Sequence, residues 1–133
     1  MIGIVIVAHG QLATELLNTT EFIIGKIEHI VSVMTDPKQS VEVLREELAN
    51  AINEVNTGNG VLILTDMFGG TPSNISLSFL DEGKVEVLAG VNLPMLIKLV
   101  SSDRNIPLKR LAHLIKDYGK KNVILATEVL NKG

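Results

Sequence analysis

The feature that most limits how this chain can fold is an apolar run near its start, from Ile2 to Ala8, which contains no polar side chain. A strand with one face in water alternates apolar and polar residues, whereas a strand covered on both faces is apolar throughout. The run is too short for a membrane span or a signal peptide, and no basic region precedes it. It therefore predicts a strand buried inside a parallel sheet.

Strand and helix patterns alternate along the rest of the chain. Short apolar runs predict further strands over 27–34, 61–64 and 85–88, and a last short strand over Val123–Ala126. Apolar residues at helical spacing predict helices over 11–25 and after Ser40, Thr71, Asn92 and Pro107. This alternation favours a doubly wound α/β fold, with a mostly parallel four-stranded sheet flanked by helices. A chain of 133 residues is expected to form a single domain, 1–133.

Several predicted helix ends carry residues that are typical of caps. Ser40 is expected to cap the second helix, and Asn92 or Leu93 is expected near the cap of the fourth. Thr71 is expected to cap the third helix, since the proline that follows it fits a first helical turn. Gly119 is expected to end the last long helix.

Composition excludes several classes of function. The chain has no cysteine, which excludes disulfides, thiolate catalysis and Cys-based metal sites. Its three histidines lack metal-ligand spacing, so neither a metal nor another cofactor is expected. A formal charge of −3 without a Lys/Arg cluster argues against nucleic-acid binding. The expected location is the cytoplasm.

Two chemically active side chains stand at the same place in two of the predicted strand–helix units. His9 closes the first apolar run, and Asp66 follows the strand at 61–64. Ligands of open α/β sheets bind beyond the carboxyl ends of the strands, where the strand order reverses. If the first and third strands are neighbours, His9 and Asp66 emerge side by side. The carboxylate would then fix the imidazole tautomer and stabilise the charge that develops when the other ring nitrogen attacks.

Glycines and a helix start beside this pair favour anion binding. Gly10, Gly69 and Gly70 allow the backbone to approach a phosphoryl group closely. The start of the third helix offers free N–H groups, and the Thr71 hydroxyl could add one donor. The stretch Gly69-Gly70-Thr71 has the spacing of neither a P-loop nor a dinucleotide fingerprint, so nucleotide binding is not favoured.

The same residues also have plainer interpretations. Alone, His9 fits a hydrogen-bonded turn residue, and Asp66 fits a helix cap or a turn residue. The pair Met67 and Phe68 is equally consistent with core packing and with an exposed rim that binds a partner. The two remaining histidines are expected to be structural or solvated; they are His29 and His113.

Three segments closely resemble the IIA component of the mannose-type (mannose/fructose/sorbose) phosphoenolpyruvate-dependent sugar phosphotransferase system. They are Ala8-His9-Gly10, the stretch Asp66–Asn74 (DMFGGTPSN) and the stretch Ala89–Leu96 (AGVNLPML). The segments are spread over most of the chain and occur in the family's order, so together they are far more specific than a single His-Gly pair.

The resemblance implies that His9 accepts a phosphoryl group from the phosphocarrier protein HPr and passes it to the IIB component. IIB in turn phosphorylates sugar that enters through the membrane components IIC and IID. Asp66 matches the family's carboxylate partner of the active histidine, and Thr71 matches a Ser or Thr near the phosphoryl group. The resemblance also implies a homodimer in which the last strand, here Val123–Ala126, pairs with the partner subunit's sheet.

Alternatives to this function remain open from the sequence. A chain that stops at Gly133 is expected to work with a separate IIB component. A related domain with an active histidine occurs in the phosphotransfer subunit of a phosphoenolpyruvate-dependent dihydroxyacetone kinase, which is the closest rival. A second alternative is a non-catalytic binding module with a flavodoxin-like fold.

Overall fold

Four parallel strands form one sheet in this computed structural model, which describes residues 1–130. The strands are β1 (Gly3–His9), β2 (Ile30–Thr35), β3 (Val61–Thr65) and β4 (Val85–Ala89). Their spatial order is β2-β1-β3-β4, so β1 pairs with β2 on one side and with β3 on the other. The predicted α/β fold with a four-stranded parallel sheet is confirmed, and β1 and β3 are indeed neighbours.

Six helices connect or follow these strands in the described part of the chain. They are α1 (Leu12–Ile24), α2 (Val41–Val55), α3 (Thr71–Leu77), α4 (Leu93–Ser101), α5 (Leu108–Lys121) and α6 (Ala126–Leu130). Within residues 1–130, no helix has both the length and the apolar character needed to cross a lipid bilayer.

Helices cover both faces of β1, which explains why residues 3–8 carry no polar side chain. Ile4 and Ile6 pack into a cluster with apolar residues of α1, α4 and α5. Val5 and Val7 point the other way and pack with α2 and α3. All four side chains are fully buried or nearly so. The two apolar clusters hold β1 rigidly, and its carboxyl end carries His9 at the edge of this core.

A buried arginine closes the opposite, amino end of β1. Arg104 follows α4, and only 6% of its surface is exposed. Its Nε and one terminal nitrogen donate to the carbonyl of Ile2 at 3.1 and 2.8 Å. The terminal nitrogens also donate to the carbonyls of Glu28 at 2.9 Å and His29 at 3.0 Å. This side chain therefore ties the starts of β1 and β2 to the segment after α4.

Two of the predicted helix caps are confirmed, and one is wrong. The Ser40 hydroxyl accepts the Val43 N–H at the start of α2, and the Asn92 side chain accepts the Met95 N–H at the start of α4. Thr71, in contrast, is the first residue of α3 and not its cap. Gly70 takes the cap position because its extended backbone lets its carbonyl accept the Asn74 N–H at 2.9 Å, the first bond of the helix.

The prediction that Gly119 ends the last long helix is also wrong, because α5 continues to Lys121. Gly119 is buried against Met95 of α4, and a Cβ at this position would lie 2.7 Å from the Met95 Cγ. The glycine therefore allows two helices to approach closely and does not interrupt α5.

The prediction of a last strand over Val123–Ala126 is wrong for the isolated chain. Val123–Leu125 has no regular structure, and α6 begins at Ala126. A strand needs a neighbour to pair its backbone groups, and within residues 1–130 the segment joins neither edge of the sheet. Its apolar side chains remain exposed, with 78% of Val123 and 60% of Ile124 in contact with solvent. Residues 131–133 lie outside the described part.

Candidate active site

His9 and Asp66 meet at the carboxyl ends of β1 and β3, as their placement in the sequence predicts. The His9 Nδ1 lies 2.8 Å from Asp66 Oδ2, and the His9 backbone N–H donates to the same oxygen at 3.1 Å. One carboxylate oxygen thus holds both the ring and the backbone of His9. The ring can rotate away only by breaking the bond to Nδ1.

Asp66 is held in its ionised form. Partial burial alone would raise the pKa of this carboxyl, but the hydrogen bonds from the His9 side chain and backbone and the attraction of the imidazole outweigh that effect. The pKa of Asp66 therefore lies below its ordinary value. Its other oxygen, Oδ1, accepts the Met67 N–H at 3.0 Å, which fixes the carboxylate plane.

The tautomer of His9 follows from this arrangement. An ionised carboxylate can only accept hydrogen bonds, so the neutral imidazole places its proton on Nδ1 and donates it to Asp66. The other nitrogen, Nε2, then carries a free lone pair. Among residues 1–130 no hydrogen-bond partner is present for Nε2, and half of the His9 side chain is exposed. Nε2 is therefore accessible and has an available lone pair.

Gly70 is required beside the ring for reasons of space. A Cβ on Gly70 would lie 2.6 Å from Cε1 of His9, closer than real Cβ atoms approach, and 3.1 Å from Nε2, which is a tight contact. Gly69 and Gly10 are required for a different reason, since both have positive φ values, +96° and +58°. Gly70 thus allows the backbone to lie close to the imidazole, while Gly69 and Gly10 allow the turns on either side.

The start of α3 faces the same space. A cavity of about 480 Å³ lies beside His9, and Thr71, Pro72 and Ser40 contribute to its lining. Because Thr71 is the first helical residue and not the cap, its hydroxyl is not committed to closing the helix. The first N–H groups of a helix have no intrahelical acceptor, and they favour anions. A larger cavity of about 700 Å³ along the outer side of β2 does not include His9.

Met67 and Phe68 form an exposed apolar rim next to His9. Their exposed fractions are 54% and 73%, which excludes the alternative that they pack in the core. Leu12, at the start of α1, and Val41, at the start of α2, are also large apolar residues in contact with solvent. Val41 lines the cavity at His9, a placement that sequence reasoning missed.

The other two histidines lie elsewhere. His113 is exposed on α5. His29 precedes β2 at the opposite end of the sheet, where its backbone carbonyl accepts the Ile4 N–H and a bond from Arg104. Of the three histidines, only His9 has a carboxylate on one ring nitrogen among the described residues.

The family assignment rests on comparisons with known proteins. Residues 3–116 match the family model described as the PTS system fructose IIA component, PTS being the phosphotransferase system. The chain belongs to this family. The match spans every strand of the sheet and includes both His9 and Asp66.

Individual relatives agree with the assignment. The chain is 30% identical over 133 residues to the fructose-specific EIIA component of Bacillus subtilis, covering 99% of this chain and 91% of that protein. It is 36% identical over 124 residues to the mannose-specific EIIAB component of Escherichia coli, covering 92% of this chain but 38% of that longer protein. Among solved structures, an EIIA component from Streptococcus agalactiae superposes with a TM-score of 0.87 at 29% identity, covering 96% of this chain and 99% of that one.

Proposed function

We propose that this IIA component is a phosphohistidine relay, in which His9 accepts a phosphoryl group from phospho-HPr and passes it to a IIB component. The observation that carries the proposal is the bond between His9 Nδ1 and Asp66 Oδ2, which leaves Nε2 free at the exposed edge of the sheet. A relay needs a nucleophile that a second protein can reach, and His9 meets both conditions.

The chemistry requires no group beyond the imidazole of each partner. Nε2 attacks the phosphorus of the donor's phosphohistidine, the new N–P bond forms, and the donor's N–P bond breaks with its electron pair returning to the donor ring. The positive charge that develops on the His9 ring is stabilised by Asp66 through Nδ1–H. The reverse process with a IIB histidine as nucleophile releases the group, and the two steps have similar energies because both partners are imidazoles.

The three phosphoryl oxygens need donors while they are held on His9. Thr71, the first residue of α3, lines the cavity beside His9, and its backbone N–H and its hydroxyl can donate to these oxygens. Gly10, Gly69 and Gly70 leave room for the group. Met67 and Phe68 supply apolar surface that a docking partner can cover, which would exclude water from the transferring group.

Labelling with phosphoenolpyruvate, enzyme I and HPr tests the relay. We expect an acid-labile, alkali-stable phosphate on the wild-type protein and on His113→Ala, and none on His9→Ala. His113 is a matched control because it is an exposed histidine outside the site. Undiminished labelling of His9→Ala would disprove the role of His9. Discharge of the labelled protein by a IIB component tests the second half of the relay.

The two alternatives predict different partners and ligands. The dihydroxyacetone kinase reading predicts that kinase subunits, and not a IIB component, discharge phosphorylated His9; the names of the relatives above favour the sugar system. The binding-module reading predicts a bound nucleotide or flavin and no phosphohistidine. Absorbance spectra of the purified protein, taken together with the labelling, separate these outcomes.

We also propose that the chain forms a homodimer through the segment after α5. Val123, Ile124 and Leu125 are all more than half exposed, as is Leu130 in α6. Exposed apolar residues that follow one another in the sequence are costly in a monomer and are typical of interfaces. A second copy of the chain would cover them.

Sedimentation of the wild-type protein and of Ile124→Asp tests the dimer. We expect a dimer for the wild type and a folded monomer for the variant. Phe22→Asp is the matched control, because Phe22 is an exposed apolar residue of α1. A wild-type monomer, or a dimer that Ile124→Asp leaves intact, would contradict the proposal.

A further inference from the structure

Thr35, the last residue of β2, makes hydrogen bonds on both sides of His9. Its hydroxyl donates to the carbonyl of Ala8 at 2.9 Å and accepts the N–H of Gly10 at 3.2 Å. Its own backbone N–H also points to the Gly10 carbonyl, at 3.4 Å. In the register of the sheet Thr35 lies directly opposite His9. One side chain therefore bridges the peptide groups before and after His9.

We propose that Thr35 is a positioning residue for phosphoryl transfer, which fixes the backbone of His9 so that Nε2 points toward the partner. The proposal rests on the proposed role of His9 as the phosphoryl acceptor. Asp66 holds His9 from the β3 side, through its ring and its N–H. Thr35 holds the flanking peptides from the β2 side, and together the two residues fix both the ring and its backbone.

The hydroxyl of Thr35 acts through the backbone and not on the phosphoryl group. A hydroxyl has one proton, and here that proton is given to the Ala8 carbonyl. No proton is left for a phosphoryl oxygen. Thr35 lines the cavity beside His9, so its methyl group and its oxygen shape the site, while any direct bond to the phosphoryl group comes from other donors.

The backbone at Gly10 explains why such a bridge is needed. Gly10 has a positive φ, +58°, so the chain turns sharply as soon as it leaves β1. The turn takes the Gly10 N–H out of the regular ladder between β1 and β2, and the Thr35 hydroxyl supplies its acceptor. Valine has the same shape as threonine but can neither donate nor accept, so Thr35→Val leaves the Ala8 carbonyl and the Gly10 N–H without this partner.

The first test measures single-turnover transfer from phospho-HPr in wild type, Thr35→Val and Thr35→Ser. We expect Thr35→Val to slow transfer on the order of tenfold at saturating donor, because small misplacement of reacting atoms is costly. The donor concentration that gives the half-maximal rate should change less. Thr35→Ser keeps the hydroxyl and is expected to restore the rate. Thr14→Val is the matched control. The Thr14 hydroxyl bonds the hydroxyl of Ser32, which lies on β2 as Thr35 does, but away from His9.

The second test does not depend on phosphotransfer. In ¹⁵N NMR spectra of the unphosphorylated protein, wild type and Thr35→Ser should show His9 as a single tautomer with its proton on Nδ1. Thr35→Val should show a mixture of tautomers, since a looser backbone weakens the bond to Asp66. If Thr35→Val does not fold, Thr35→Ala serves in its place with the same expectations.

The outcomes separate failure of this inference from failure of the relay. A Thr35→Val protein with the wild-type rate and the wild-type tautomer would overturn the positioning role. Equal slowing in Thr35→Val and Thr14→Val, or failure of Thr35→Ser to restore the rate, would also overturn it. If the wild-type protein takes no phosphate, the relay itself is wrong, and the NMR comparison still decides whether Thr35 positions the ring.

Discussion

A hydrogen-bonded basic side chain lies at each end of β1, and these two side chains are bonded in opposite ways. At the amino end, Arg104 is buried, and its guanidinium donates to three backbone carbonyls, with the Ile2 carbonyl accepting two bonds. At the carboxyl end, His9 is half exposed and only one of its two ring nitrogens is bonded within residues 1–130. The same strand therefore ends in a closed polar cluster on one side and an open one on the other.

The difference shows how a polar side chain that is fixed in the fold can be told from one that is free to react. Burial lowers the pKa of Arg104, and the nearby Glu28 carboxylate opposes that shift, but an arginine remains charged at neutral pH. Its bonds therefore persist, and it is fixed in place. His9 lines a cavity, Asp66 holds its Nδ1, and its Nε2 has no hydrogen-bond partner within residues 1–130. A partly satisfied group at a strand end is available for chemistry, whereas a fully satisfied group is not.

The largest effect is expected when Arg104 is removed from the closed, amino end of β1. Arg104→Met should lower the free energy of unfolding by about 3 kcal/mol, because buried carbonyls lose their donors. Transfer per folded molecule should stay at the wild-type rate. Urea unfolding checks the first expectation, and transfer assays on folded protein check the second. Arg110→Met, at an exposed position of α5, is the control and should be nearly neutral; equal loss in both variants would show that Arg104 has no special role.

The next largest effect is expected when the carboxylate beside His9 is removed from the open, carboxyl end of β1. Asp66→Asn should slow phosphoryl transfer on the order of 100-fold, about 2.7 kcal/mol in activation free energy, since the amide supplies no charge and can favour the wrong tautomer. The fold should be preserved. Single-turnover rates measure the effect, and Asp36→Asn is the control because Asp36 is exposed and lines the same cavity. Wild-type kinetics in Asp66→Asn would remove this carboxylate from the mechanism.

A smaller effect is expected at the glycines of the open end. Gly70→Ala places a Cβ against the His9 ring, so the ring must move, and transfer should slow on the order of tenfold. Gly69→Ala offers the comparison: its Cβ would meet open space, but its positive φ strains an alanine. We expect the His9 ring resonances to shift in Gly70→Ala and to remain in place in Gly69→Ala. The reverse result would show that space beside the ring is not what Gly70 provides.

The smallest effect is the pH dependence of stability. The pKa of Asp66 is lower in the folded protein than its ordinary value, so its ionised form stabilises the fold above pH ~4. That contribution is lost as the pH falls through the folded-state pKa. We expect acid to narrow the stability difference between wild type and Asp66→Asn, measured as urea midpoints between neutral and acidic pH. A difference that stays constant with pH would contradict the assignment of the shift.

The sequence was informative where a single rule about parallel sheets applied. An uninterrupted apolar run predicts a strand that is buried on both faces. Functional side chains often lie at the carboxyl ends of such strands, so the sequence alone predicts the pairing of His9 with Asp66. The same rule points to Thr35, which also ends a strand, but a threonine before Asp36-Pro37 resembles an ordinary turn residue. Its role depends on the turn at Gly10, which only the structure shows.

Two of the predictions that were wrong depend on contacts between distant segments. Gly119 has the local character of a helix end, yet its packing against Met95 decides its place inside α5. Thr71 is a good cap by residue type, but Gly70 already occupies that position. Val123–Ala126 has the composition of a strand, and pairing, which composition cannot supply, decides whether a strand forms.

The position of Arg104 along the chain has a consequence for synthesis on the ribosome. β1 precedes Arg104 by about 100 positions (Ile2 and Arg104 lie 102 apart), so the strand is translated well before the side chain that closes its amino end. The acceptor of the Ile2 N–H, the Arg104 carbonyl at 2.7 Å, is made equally late. Until then the Ile2 N–H and the Ile2 carbonyl lack the partners that Arg104 supplies. A nascent chain that stops before this residue is therefore expected to remain protease-sensitive, and productive folding is expected only after Arg104 has been made.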